Sequence, residues 1–125
     1  MKFYVISFDT DAFKLKAEVT KIDSTLGDIY DELSSLIESD SLEFVDYNNE
    51  IVIIIDEQGK CKKGNPMFRI VTEDGITLDL AGKILFARNI ENDFSTDIGS
   101  IKHEDIFNLR LNLDIKLIGM ITGGL

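Results

Sequence analysis

Two residue types that usually carry nucleophilic or metal chemistry occur once each in this chain, as Cys61 and His103. A single cysteine has no disulfide partner in the chain, and one cysteine with one histidine cannot supply the ligand set of a Cys- or His-rich zinc site. Any Ser-His-Asp arrangement would have to use His103. It stands beside Glu104 and Asp105 and reads as an exposed residue in the first turn of a helix. Cys61 lies among Lys60, Lys62 and Lys63, whose charges favour a thiolate. With no oriented base beside it in sequence, it reads as a plain thiol.

The same lysines suggest a different chemistry. Lys60, Lys62, Lys63 and Asn65, with Arg69 a few residues on, surround Gly59 and Gly64. Ammonium groups and free backbone N–H donors on a glycine-bearing loop can hold phosphate, so a nucleotide or small phosphate ligand is the alternative reading of this stretch. It lacks the spacing of a phosphate-binding P-loop, and a solvated turn that offsets acidic neighbours is the ordinary explanation. Two acidic patterns have spacings that could hold a metal ion. Asp93, Ser95, Asp97 and Glu104 fall at calcium-loop spacing, but Ile98 stands where the sharp turn needs glycine, and no helix precedes them. Asp9 and Asp11 read as a hairpin turn. No metal and no cofactor is expected.

The charge layout is more distinctive. The chain has 125 residues and a formal net charge of −10. Between Lys21 and Lys60 there are eleven acids and no base, whereas the remainder holds 12 acids and 13 bases. The excess is therefore local. Ordinary solvent faces mix signs, so a stretch of one sign invites the reading of a binding face. Asp28, Asp31, Glu32, Glu38, Glu43 and Asp46 are the candidate contacts. Their field would attract a basic protein, repel nucleic acid and anionic membrane, and could imitate a row of phosphates. Adjacent acids such as Asp31 and Glu32 point outward from a helix, which suits no buried general acid/base pair.

Hydrophobic periodicity supplies the elements that position these groups. Lys2 to Phe8 reads as a central strand and Phe13 to Thr20 as its half-buried hairpin partner. Asp23 and Ser24 offer a helix cap. Leu26, Ile29, Tyr30, Leu33, Leu36 and Ile37 then recur at helical spacing, predicting a helix over Thr25 to Glu38. Leu42 to Tyr47 and Ile51 to Ile55 read as a second hairpin. Residues 57–66 read as a loop, and Met67 to Thr72, Ile76 to Leu80 and Ile84 to Ala87 as short strands. Asn89 to Gly99 is polar and reads as a loop, with Ser100 capping a short helix that ends near Asn108. From Phe107 to Leu117 apolar and polar residues alternate strictly, which argues for a strand after Asn108. Gly119 to Leu125 reads as a loose tail.

Several segments of the chain resemble one small family. They are Ile22-Asp23-Ser24-Thr25-Leu26, Ile53-Ile54-Ile55-Asp56-Glu57-Gln58-Gly59-Lys60, Gly64-Asn65-Pro66 and Leu80-Ala81-Gly82-Lys83-Ile84-Leu85-Phe86-Ala87, in that order. The chain is similar over about Lys14 to Leu111 to a domain of unknown function encoded on phages, plasmids and conjugative elements, sometimes near antirestriction genes. It departs from that pattern in having Pro66 directly after Asn65, with Arg69 only later. The resemblance implies a mobile-element accessory protein and supplies no activity.

The sequence thus predicts one α+β domain over residues 1–118, a mostly antiparallel twisted sheet packed by one amphipathic helix and a second, shorter C-terminal helix, with residues 119–125 as a tail. The N-terminus meets Asp9 and Asp11 too soon for a signal peptide. The longest apolar run, Ile51 to Ile55, is far short of the roughly 20 residues of a membrane span. A cytoplasmic, non-enzymatic protein is expected, binding a basic surface of a host or defence protein as inhibitor or nucleic-acid mimic. It is not expected to bind nucleic acid or membrane directly. The alternating 109–117 strand offers an edge for homo-oligomerisation.

Overall fold

The structure is a computed structural model that describes residues 1–23, 29–91 and 96–122. In chain order the strands and helices are β1 (Lys2–Asp9), β2 (Lys14–Lys21), α1 (Ile29–Ile37), β3 (Leu42–Asp46), β4 (Ile51–Asp56), β5 (Pro66–Val71), β6 (Thr77–Ala81), β7 (Ile84–Glu91), β8 (Thr96–Gly99), α2 (His103–Asn112) and β9 (Asp114–Met120). The expected helix start at Ser24 to Leu26 and the candidate Asp28 lie outside the described residues, as do Asp93 and Ser95 of the calcium-like spacing.

The class is α+β, with two antiparallel sheets in place of the single sheet that the sequence predicts. The larger runs β2-β1-β7-β4-β3, with β8 on the far half of β7; the smaller runs β6-β5-β9. The alternation along β1, β4 and β7 explains the layering. Tyr4, Ile6, Ile51, Ile53, Ile55, Ile84 and Phe86 meet Phe68, Ile70 and Leu80 of the small sheet and Ile106 and Leu109 of α2. The intervening residues Phe3, Val5, Val52, Ile54, Leu85 and Ala87 pack with Leu33 and Ile37 of α1. A strand that is apolar at every position is stable only when both of its faces are covered. Here the small sheet with α2 covers one face and α1 the other.

The structure differs from the expected elements in several places. The polar segment Asn89 to Gly99 is not simply a loop: β7 continues to Glu91 and β8 returns beside it, pairing Asn89 with Ile98. Ile98, the apolar residue at the end of that polar run, is buried against the α1-side core and anchors the return. Gly119 to Leu125 is not a loose tail throughout, since β9 reaches Met120 and the Ile121 amide donates to the Asn65 carbonyl at 2.8 Å.

A further difference concerns residues 107–117. The helix extends to Asn112, and the strand begins only at Asp114. Leu109 and Leu111 share one face in a strand but lie 200° apart on a helix. The core selects Ile106 and Leu109, three apart, and leaves Phe107 and Leu111 outward, 60% and 66% exposed. Ser100 does not cap the helix either. Its hydroxyl accepts the Lys2 amide at 2.8 Å, while the Asp105 carboxylate accepts the Lys102 amide at 2.9 Å. Substitution separates the two periods directly. Leu109→Ala should lower unfolding free energy by about 2–4 kcal/mol in denaturant titration, and Leu111→Ala by about 0.5 kcal/mol or less. Equal losses would fit a strand and contradict the helix.

Candidate functional site

The end of α1 organises the acidic stretch. Its last turn contains no base of its own. Two lysines from elsewhere in the chain serve instead, Lys83 Nζ donating to the Leu36 carbonyl at 3.0 Å and Lys62 Nζ to the Glu38 carbonyl at 3.1 Å. They satisfy carbonyls that the helix leaves unpaired and offset the negative end of its dipole. Glu38 itself has φ +63°, and the Ser39 amide donates to the Ser34 carbonyl at 3.0 Å, the long closing bond of a left-handed helix cap. Glycine is the usual residue at such a position.

Lys62 also holds the buried carboxylate of Asp56 at 2.6 Å. Ser39 Oγ and the Gln58 amide donate to the same carboxylate at 2.7 and 2.9 Å. Burial pushes the Asp56 carboxyl up, but the bonds from Lys62, Ser39 and Gln58 together with the lysine charge outweigh it and hold the carboxyl below its ordinary value. Asn65 Nδ2 donates to the Gly59 carbonyl at 2.9 Å, and a Cβ on Gly59 would stand 2.6 Å from the Ala81 carbonyl oxygen, so only glycine fits there. Lys62, Asn65, Asp56 and Lys83 line one small depression of about 190 Å³.

The basic loop is therefore divided. Lys62 and Asn65 come together, but both are bonded inside the fold. Arg69 lies on β5 and forms a two-bond pair with Asp79, Nε to Oδ1 at 2.8 Å and Nη2 to Oδ2 at 3.1 Å. That pairing holds the Asp79 carboxyl below its ordinary value, with the Lys60 charge adding to the effect. Lys63 is exposed.

The acidic candidates are divided differently. Asp31 and Glu38 line, with Asp40, a shallow depression of about 640 Å³ floored by serines including Ser34, Ser35 and Ser39. Asp31 and Glu32 also border a neighbouring groove between α1 and the end of β2. On the edge strand β3, Leu42 packs on the α1 side and Val45 on the sandwich side. Alternation then puts Phe44 and Asp46 on the α1 side and Glu43 on the opposite one. Asp46 accepts from Asn89 Nδ2 at 3.3 Å. Of the other acids in the stretch, Asp56 is neutralised by Lys62, and Glu50 lies 3.4 Å from Arg88. Among the described residues no cation lies within ion-pair distance of Asp31, Glu32, Glu38, Asp40, Glu43 or Asp46.

Two aromatic residues belong to this face and were not among the candidates. Tyr30 of α1 and Phe44 of β3 meet edge to face at 6.1 Å, both partly exposed. Phe44 alternates with Leu42 and Asp46, a sequence signal that could have placed it beside the helix. The tertiary use of Lys83 has no such signal. Cys61 and His103 are both exposed, on separate elements, and Asp9 serves its turn by accepting the Asp11 and Ala12 amides at 3.0 and 3.1 Å.

No family model, curated protein or solved structure matches the chain. No helix among the described residues is long and apolar enough to cross a membrane.

Asp56 gives a test of this arrangement. A carboxyl whose folded pKa is depressed adds stability that is present above its unfolded value, near 3.8, and is lost as pH falls through the lower folded value. Asp56→Asn should destabilise the protein by about 1–3 kcal/mol at pH 7 and flatten the acid limb of its stability curve. Unchanged stability at neutral pH would show that the Lys62 contact contributes nothing.

Proposed function

We propose that this chain is a small non-enzymatic binding protein whose α1 face, with the α1 side of β3, docks on a basic surface of another protein and competes with nucleic acid for it. In the setting the sequence resemblance implies, that partner is a host or defence protein. Asp31, Glu32, Glu38 and Asp46 supply the charge in this proposal. Glu43, across the sheet edge, belongs to the outer limit of the field, and Asp28 precedes the described part of the helix.

The observation that carries the reading is Glu38. An anionic side chain here opposes the helix dipole, and a left-handed backbone at a non-glycine residue costs on the order of 1 kcal/mol. Local rules broken together mark positions kept for something other than stability. The carboxylate so held stands over the same depression as Asp31 and Asp40, and the lysine nearest to it is committed to Asp56 and to the Glu38 carbonyl. Tyr30 and Phe44 add a partly exposed aromatic pair on the same side, the kind of residue that anchors an interface while surrounding charges steer encounter. The phosphate-loop alternative has no such support, because Lys62, Asn65 and Arg69 are already bonded within the fold.

Two measurements test this. Glu38→Gly should raise unfolding free energy by about 0.5–1 kcal/mol while weakening partner binding, a trade that a purely structural Glu38 would not make. In capture from lysate, a partner held by the wild type should be lost with Asp31→Lys/Glu38→Lys, kept with the equal charge change Glu18→Lys/Glu57→Lys, and released by high salt. Equal loss in both variants would reduce the effect to net charge and overturn the assignment.

A further inference from the structure

A second concavity, of about 450 Å³, opens at the end of the sandwich between the β3–β4 turn, the β5–β6 turn and α2. Some of its polar groups are already used. Asn48 Oδ1 accepts the Glu50 and Ile51 amides at 2.8 and 2.7 Å. Asp105 is bound by Arg88, Nε to Oδ2 at 2.7 Å and Nη2 to Oδ1 at 2.9 Å. Glu73, Asp74, Asn108 and Asn112 have no side-chain partner among the described residues, and Glu50 has only the 3.4 Å approach of Arg88.

Tyr47 distinguishes this cleft from a mere group of acids. Its side chain is 5% exposed, with the ring edge-on to Phe86 at 5.8 Å in the core. Its hydroxyl has no hydrogen-bond partner among the described residues, although a tyrosine buried this far ordinarily finds one. No buried side-chain atom among those residues is both sealed from solvent and unpaired, so the hydroxyl must reach an opening, and the opening that Tyr47 lines is this cleft. Burial first, then the carboxylates of Glu73 and Asp114, push its phenol above the ordinary value, so the group stays a neutral hydroxyl near neutral pH. It can accept a donor that enters.

We propose that this cleft binds a linear aliphatic polyamine, with one ammonium group donating to the Tyr47 hydroxyl and others meeting Glu50, Glu73 and Asp74. The arrangement of the acids favours this class over a metal ion. Among the described residues no three acidic, histidine or cysteine side chains converge into a metal-holding group. The carboxylates come instead from two turns, Glu50 from the β3–β4 turn and Glu73 and Asp74 from the β5–β6 turn, an arrangement suited to ammonium groups spaced along a chain. Tyr47, Ile51 and Leu109 on the cleft wall offer apolar surface to the intervening methylenes. The site is independent of the α1 face, which shares none of these residues.

Calorimetric titration of the full chain with spermidine near 0.15 M salt tests the proposal. The wild type should bind one molecule. Tyr47→Phe should weaken binding about tenfold with its melting temperature unchanged, because the hydroxyl bonds nothing in the folded chain. Glu73→Gln/Asp74→Asn should weaken it as well and reduce its salt dependence. Asp31→Lys/Glu38→Lys should bind as the wild type does. Absence of binding, an unaffected Tyr47→Phe variant, equal loss in the α1 variant, or displacement of spermidine by an equal concentration of magnesium would each overturn it.

Discussion

Burial of the large sheet on both faces is the constraint from which the rest follows. β1, β4 and β7 carry apolar side chains at consecutive positions, so neither face can be left to water. One face takes the small sheet and α2, and the other takes α1. Charge is thereby expelled to helix surfaces, strand edges and turns. Only Asp56 and Asp105 among the described acids are buried, and each meets a cation, Lys62 or Arg88. An unpaired charge at either place would have to be desolvated without compensation.

This pairing decides where the net charge appears. Lys62 and Lys83 turn inward to the end of α1 and to Asp56, Arg88 to Asp105, and Arg69 to Asp79. Although Lys62 borders the same depression, its ammonium is bonded to Asp56 and the Glu38 carbonyl, and among the described residues Asp31, Glu38 and Asp40 form no ion pair. Part of the local excess in the sequence therefore stands unpaired on the α1 side of the fold, with Glu43 set apart by the pleat of its strand and Glu50 turned to the end of the sandwich. Glu38 occupies its place there in a left-handed backbone conformation.

Much of the architecture was legible because period and burial agreed. The consecutive apolar residues of Ile51–Asp56 and the helical spacing of Ile29, Leu33, Leu36 and Ile37 each had one stable solution. Residues 107–112 misled because Leu109 fits both periods, and only contact with Ile106 and the sheet selects the helix. β8 was hidden because one buried residue, Ile98, carries it. The acidic stretch was visible as composition, but which acids remain unpaired depends on lysines and arginines distant in sequence. The same holds for the basic loop, whose members look alike in sequence and are separated by the turn into β5. Tyr47 gave no signal at all, since an unpaired hydroxyl exists only once the core has closed around its ring.

The central claim is that the α1 side of the fold carries a patch of carboxylates that no ion pair among the described residues cancels, and it can be measured without knowing any partner. Amide relaxation enhancements from paired cationic and anionic paramagnetic cosolutes report the electrostatic potential residue by residue. The account predicts strong enrichment of the cationic probe over Asp31 to Asp40 and near Phe44 and Asp46, with the two probes nearly balanced over the outer side of β5 and β6, where Arg69 pairs with Asp79. A uniform preference for the cationic probe over the whole surface, or balance along α1, would contradict it.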